Sequence, residues 1–178
     1  MIDLYVGYVI DKLKDYISAN YDGKIEFIYS NYVNVAEENR IKNKIIVSVV
    51  NISYEAIDIS AQRYVPNGNG YIIQKTPLML YVYVLFRAYF DDDKFLEGLR
   101  ALSLIASFFL TNSNFNIKDN NDMLQLGLKD FEVFLQKDYK DCIGKNICSY
   151  CPSLLYKIGL IEIMATGQSK NVAAIKNI

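Results

Sequence analysis

The sequence predicts an α+β fold in a single domain, a mixed and mainly antiparallel sheet flanked by helices. Three observations predict it. The segments 44–54, 78–89 and 153–164 are dense in Val, Ile, Tyr, Leu and Phe and alternate with the period of a strand. The segments 2–20, 94–111 and 130–143 carry apolar residues at helical steps of three and four. The chain of 178 residues is 52% hydrophobic and 22% charged, enough for one real core and unlike a disordered chain.

Ile2, Tyr5, Val9, Leu13 and Tyr16, with Val6, Ile10 and Ile17 beside them, make the first segment an amphipathic helix with Asp11, Lys12, Lys14 and Asp15 outside. Tyr21-Asp22-Gly23 ends it, with Gly23 expected to take a left-handed cap. Residues 24–29 read as a short strand and 31–43 as a polar loop. In Lys44–Tyr54 strict alternation sets Ile45, Val47, Val49 and Asn51 on one face and Ile46, Ser48, Val50 and Ile52 on the other. Residues 55–65 read either as its continuation or as a neighbouring strand. Pro66-Asn67-Gly68-Asn69-Gly70 is a turn, inside either a hairpin or a mobile loop across 64–72.

The stretch 78–112 organises the chain. Its even positions from Leu78 to Phe90 are all apolar and should lie under helices. The odd positions Met79, Tyr81, Tyr83, Leu85, Arg87 and Tyr89 form a second face, buried only in part or against a partner. Asp91, Asp92 and Asp93 are placed to cap the following helix. There Phe95, Leu99, Leu102, Ala106 and Phe109 form the expected ridge, widened by Leu104 and Phe108, opposite Glu97, Arg100, Ser107 and Thr111. A polar connector at 112–121 carries Phe115 and Ile117, and 123–128 alternates as a short strand. Residues 130–143 read as a helix with Phe131, Phe134, Leu135, Tyr139 and Cys142 on one side. In the last strand Leu154, Tyr156, Ile158, Leu160 and Glu162 face opposite to Leu155, Lys157, Gly159, Ile161 and Ile163. The domain is expected over 1–165 and a flexible C-terminal tail over 166–178, where two lysines meet no acid and little periodicity.

The chemistry is defined largely by what is missing. With no histidine there is no Ser-His or Cys-His pair and no imidazole ligand for zinc. Cys148-x-x-Cys151, with Cys142 upstream, lacks the second thiolate pair of a zinc knuckle and runs into Pro152 and a strand rather than a redox helix. Gly68-Asn69-Gly70 lacks the Gly-Lys-Ser/Thr of a phosphate loop. Fifteen tyrosines without a tryptophan suit interfaces, and equally suit a core that uses tyrosine in the place of tryptophan. A net charge of −1 gives no field for nucleic acid or an anionic membrane. The N-terminus is too charged for a signal peptide, and the apolar run 78–90 is shorter than the about 20 residues a membrane helix needs. A cytoplasmic protein with no catalytic, cofactor or metal site is expected.

Three stretches together resemble a family. Val47-Ser48-Val49-Val50-Asn51-Ile52 is similar to its L-x-L-x-N-I strand. Leu80–Phe86, then Phe95–Ser103 and Phe108-Phe109, resemble its LYVLF…Y-x-x-AL-x-x-LS…FF core. Pro152–Lys157 resembles its closing PS-x-x-YK-x-R strand. The family is that of the cap, or tail-terminator, proteins of bacterial contractile injection systems, phage-tail-like particles such as the antifeeding prophage. The similarity covers roughly residues 2–165. The family's tryptophan is absent near Ile143-Gly144, and Gly159 stands where an arginine is common. Some members carry a further C-terminal domain, so a minimal version is expected here. The resemblance implies a structural protein, a hexameric ring in that family, that contacts tube and sheath and ends their polymerisation. The contact residues are expected in 55–75 and 166–178, polar connections around a rigid core. A monomeric protein-binding adaptor is the alternative, and after it a small histidine-independent enzyme.

Overall fold

The computed structural model describes residues 2–30, 42–54, 62–67, 70–75, 78–117, 131–135, 151–163 and 170–173. In chain order the elements are α1 (Ile2–Asn20), β1 (Phe27–Tyr29), β2 (Lys44–Tyr54), β3 (Gln62–Asn67), β4 (Gly70–Lys75), β5 (Leu78–Tyr89), α2 (Phe95–Thr111), β6 (Asn114–Phe115), β7 (Phe131–Leu135), β8 (Ser153–Ile163) and β9 (Lys170–Ala173). Six strands form one sheet in the order β1-β2-β5-β8-β7-β6, and β3-β4-β9 form a second. Only β1 against β2 is parallel, so the sheet is mixed and mainly antiparallel.

β5 is central because both of its faces can be buried. Its even residues Leu80, Val82, Val84, Phe86 and Ala88 join the core with Tyr5, Val9, Ile10 and Leu13 of α1 and Ala101, Leu102, Ile105, Phe108 and Phe109 of α2. Both helices therefore cover the same side of the six-stranded sheet. Each fully buried Leu, Ile or Phe contributes about 1.5–3 kcal/mol of transfer free energy, which makes this layer the main source of stability. The ring of Phe109 lies 4.2 Å from that of Tyr156 and 5.8 Å from that of Phe86, locking α2 onto β5 and β8. Gly98 brings the helix close at its start, since a Cβ there would meet the Phe90 ring at 2.8 Å.

Two β-bulges re-aim the far half of the sheet. In β2 the pairing passes from Val49↔Val84 to Asn51↔Tyr83, leaving Val50 as the extra residue. In β8 it passes from Ile158↔Val82 to Ile161↔Leu80, with the extra residue at Gly159-Leu160. An extra residue reverses the alternation beyond it. Ile52 and Tyr54, opposite Val82 and Leu80, therefore share the helix side, and Asn51 and Ser53 do not. Likewise Ile161 enters the core and Ile163 packs against it. This corrects the unbroken alternation expected of both strands.

Other expectations are corrected as well. Phe131–Leu135, expected within a helix over 130–143, is strand β7, paired with β8 and β6. Phe131 and Val133 are buried while Glu132 between them is exposed, so a period-two pattern prevails over the helical spacing. The remainder of that segment, and the expected strand at 123–128, lie outside the described residues. The buried stripe of α2 is Gly98, Ala101, Leu102, Ile105, Phe108 and Phe109, rotated from the expected ridge, so that Phe95 and Leu99 are exposed. No side chain caps that helix or the 3-10 turn Asp92–Lys94 before it. Asp91 instead closes onto the turn that starts β2. Its carboxylate accepts from Asn43 Nδ2 (3.3 Å) and pairs with Lys42 (3.4 Å), while its N–H donates to Asn43 Oδ1 (3.1 Å). Gly23 has no left-handed backbone; the Tyr21 ring lies over it, and Asn20 Nδ2 donates to the Tyr16 carbonyl at the helix end. The segment 64–72 takes the hairpin form, with Asn67 paired to Gly70. Within the expected tail, Lys170–Ala173 is strand β9, paired with β4.

Candidate assembly surface

The segments 55–75 and 166–178, far apart in sequence, meet in the second sheet. β4 is its middle strand, flanked by β3 from the first segment and β9 from the second, with Tyr71↔Val172 and Ile73↔Lys170 in register. The two stretches expected to make contacts are thus one structural unit.

The second face of the main sheet divides in two. Near the start of β2, Ile46, Ser48, Leu85, Arg87 and Leu155 are buried. Arg87 Nη2 donates to Ser48 Oγ (3.0 Å), and Ser48 Oγ donates to the Ser30 carbonyl. This buried hydrogen-bonded row ties β5, β2 and the end of β1 together, and such groups are costly to strand without partners. Beyond the bulges the face opens. The Tyr81 ring covers Gly159, where a Cβ would stand only 2.2 Å from Cδ1, and Lys157 Nζ lies 3.5 Å from that ring's centroid. Tyr81 sits beside a bulge glycine that leaves room for it.

Among the described residues, large apolar side chains are exposed in three places. On the outer side of α2, Leu96 (78%) is exposed with Phe95 and Leu99 beside it, and Leu110 (85%) is exposed about 21 Å away at the other end of the helix. At the end of β2, Ile52 and Tyr54 (63%) lie on the helix side of the sheet but outside the helices' cover. Tyr29 lies on the edge strand β1, and Leu135 at the end of β7 beyond its pairing with β6. Single exposed hydrophobes are ordinary on a surface; groups of them in one place mark contacts.

The charges are arranged as exposed pairs. Glu26, just before β1, reaches Lys24 (2.6 Å) and Lys44 (3.1 Å), which hold its carboxyl below the usual glutamate range and raise Lys24 in turn. Partial burial raises the Tyr29 phenol, against which Lys14 acts. An open cleft of about 430 Å³ between the end of α1 and β1 is lined by Lys14, Ile17, Tyr21, Lys24 and Phe27 among others, with its lysines engaged by Asp11 and Glu26. Among the described residues no three carboxylates or thiols converge as metal ligands, and no helix is long and apolar enough to cross a membrane. Cys151 is half-buried; Cys142 and Cys148 lie outside the described residues.

The sequence model of the Pvc16 N-terminal domain matches residues 8–140. Two solved cryo-EM structures share the fold. One is the sheath/tube terminator, in the extended state, of PVC, an extracellular contractile injection system. It aligns with a TM-score of 0.62 at 10% identity, over 100% of this chain and 61% of that one. The other is the tube-terminating cap of the anti-feeding prophage, with a TM-score of 0.59 at 13% identity, over 100% and 60%. This chain therefore spans about three fifths of the length of those structures. No curated protein matches it by sequence.

Proposed function

The chain belongs to the Pvc16 N-terminal domain family, and from that premise we propose that it is the cap, or tail terminator, of a contractile phage-tail-like injection particle. It would end tube and sheath polymerisation and stabilise the end of the particle. The observation that carries this reading is likeness over the whole chain: all of it aligns with two terminators of such particles. In this reading the protein is structural rather than catalytic, is assembled in the bacterial cytoplasm as a hexameric ring, and contacts tube and sheath subunits.

The geometry suits the role. A terminator must bind an exposed subunit end without presenting the same end again, which calls for a rigid body with separate contact surfaces. The layer of two helices on a six-stranded sheet is that body. In this reading the β3-β4-β9 sheet, and the exposed Phe95, Leu96 and Leu99 at the start of α2, serve as the contact surfaces. Residues 1–165 then serve as the terminator domain, and the segment after it, through β9, as part of the contact sheet.

The test is to delete the protein from the producing cell and image the particles by electron microscopy. Tubes or sheaths of uncontrolled length, or particles lost during purification, are expected. Particles of normal length with intact ends would sink the proposal.

A further inference from the structure

The edge of a sheet offers unpaired N–H and C=O groups, and proteins either guard such an edge or use it. Among the described residues, both edges of the six-stranded sheet are covered along part of their length only. β1 pairs with β2 at Ile45, Ile46 and Val47, and Ser30 N–H to the Val47 carbonyl follows. Among the described residues no backbone hydrogen bond reaches the outer side of β2 beyond Val47. On the opposite edge, β6 pairs with β7 at Phe131 and Glu132, and Val133 N–H to the Ser113 carbonyl follows.

The registers give the level of each edge strand. Asn114 pairs with Glu132, Glu132 with Gly159, Gly159 lies beside Tyr81, and Tyr81 pairs with Ser53. β6 is therefore level with Ser53-Tyr54, at the end of the sheet that β1 leaves bare. Its polarity follows in the same way. Three antiparallel steps separate β2 from β7 and a fourth leads to β6, so β6 runs parallel to β2, as β1 does. Two short edge strands thus have one polarity and occupy opposite ends of a row about ten residues long, roughly 33 Å.

Building on the capping-ring reading, we propose that neighbouring copies of this chain share that row. β6 of one copy lies along the Ser48–Tyr54 half of the next copy's β2, in line with the β1 already there, and the sheets run on from copy to copy. The open half of β2 contains no charged residue and no proline, though it carries the bulge at Val50, and it exposes Ile52 and Tyr54. β6 is firmly held for this use, since Phe115 stacks on Phe131 at 4.9 Å and 4° and is buried, while Asn114 is exposed. The two edges are unlike, so the contact is head-to-tail, and a closed ring of such contacts leaves no edge over.

The test is cross-linking in assembled particles. In a chain carrying Cys142→Ser, Cys148→Ser and Cys151→Ser, the pair Tyr54→Cys and Asn114→Cys is treated with a short bismaleimide. A ladder of covalent multimers is expected from the pair, and monomer alone from either cysteine singly. Dimers from a single-cysteine chain would mean that like edges meet, and would overturn the proposal. Monomer from the pair, in particles of normal length, overturns it as well and leaves capping intact. Failure of the capping reading is seen separately, in normal length for particles that lack the chain. If the cysteine-free chain does not assemble, the pair is placed in the native chain, and a ladder absent from the native protein is required.

Discussion

Replacing Gly159 by alanine tests the packing of the sheet's open face. The new Cβ would stand 2.2 Å from Tyr81 Cδ1 and 2.4 Å from Cε1, well inside contact distance. The backbone of Gly159 is not left-handed, so alanine brings no strain of its own. The half-buried Tyr81 ring must swing outward, and in doing so it leaves Lys157, whose Nζ now lies 3.5 Å from the ring centroid. Overpacking costs about 1–3 kcal/mol, and an exposed cation–π contact is worth about 0.5–1 kcal/mol. Because the ring can move into solvent, the sum should fall near 1–3 kcal/mol, or roughly 2–10 °C in Tm for a chain of this length. Denaturant and thermal unfolding are to be measured for Gly159→Ala, Tyr81→Ala and the double variant. With Tyr81 removed, Gly159→Ala should cost less than about 0.5 kcal/mol, the usual error of additivity. An equal cost in both backgrounds would refute the reasoning, because the ring would not be what alanine meets.

Three further predictions concern the margins of the sheet. Asn43 holds a left-handed backbone (φ 56°) and two hydrogen bonds to Asp91. Asn43→Ala loses both bonds and adds the left-handed cost of about 1–2 kcal/mol, so in urea unfolding it should be less stable than Asn43→Gly, which loses only the bonds; equal stability would contradict this. Ser48→Ala removes the oxygen that accepts from buried Arg87 and should cost about 1–3 kcal/mol, whereas a loss below about 0.5 kcal/mol, as for an ordinary surface change, would argue against a structural role for the row. Glu26 has its pKa lowered by Lys24 and Lys44, so its pairs stabilise the fold above the unfolded glutamate pKa, about 4.3, and that contribution is lost as pH falls through the lower folded value. Glu26→Gln should therefore flatten the fall in denaturation midpoint below about pH 4.3, and an unchanged acid limb would count against the pairing.

The fold was legible where one pattern dominates. The even face of β5 is apolar without exception, and every member from Leu80 to Ala88 entered the core. α1 was equally clear, because Tyr5, Val9, Leu13 and their neighbours have charges only on the opposite side. The bulges were not legible. Val49-Val50-Asn51 carries no local signal that an extra residue is present, and the isolated Gly159 is at most a hint of one; the pairing with β5 reveals both. β7 was misread because Phe131, Phe134 and Leu135 also fit helical spacing, and five residues are too few to separate the two periods. The rotated stripe of α2 has a related cause: a helix apolar on several sides does not say which side is covered.

The assembly surface was less legible than the fold. The family was visible in three ordered motifs, none of them a contact site. The segments 55–75 and 166–178 were named as polar connections, but that they would meet across β4 needed the structure. The partly covered edges are a property of register, which no single strand's sequence contains. Arg87 was the one local clue, since a guanidinium inside an apolar strand requires a buried acceptor, and Ser48 supplies it.

The two bulges have a consequence for anyone who compares or edits this chain. They lie on the two neighbours of β5 at nearly the same level, so the sheet has two zones that are out of phase with each other. Deleting Val50 alone would put the whole of β2 back into phase. The residues beyond it would keep their sides, with Asn51 still opposite Tyr83 and Ile52 still opposite Val82, because only the extra residue is gone. An ungapped alignment to a relative lacking one bulge, by contrast, would pair inward residues with outward ones from that point on. Conservation scored across such a frameshift would be lowest at the end of β2, where the chain has most reason to keep its residues.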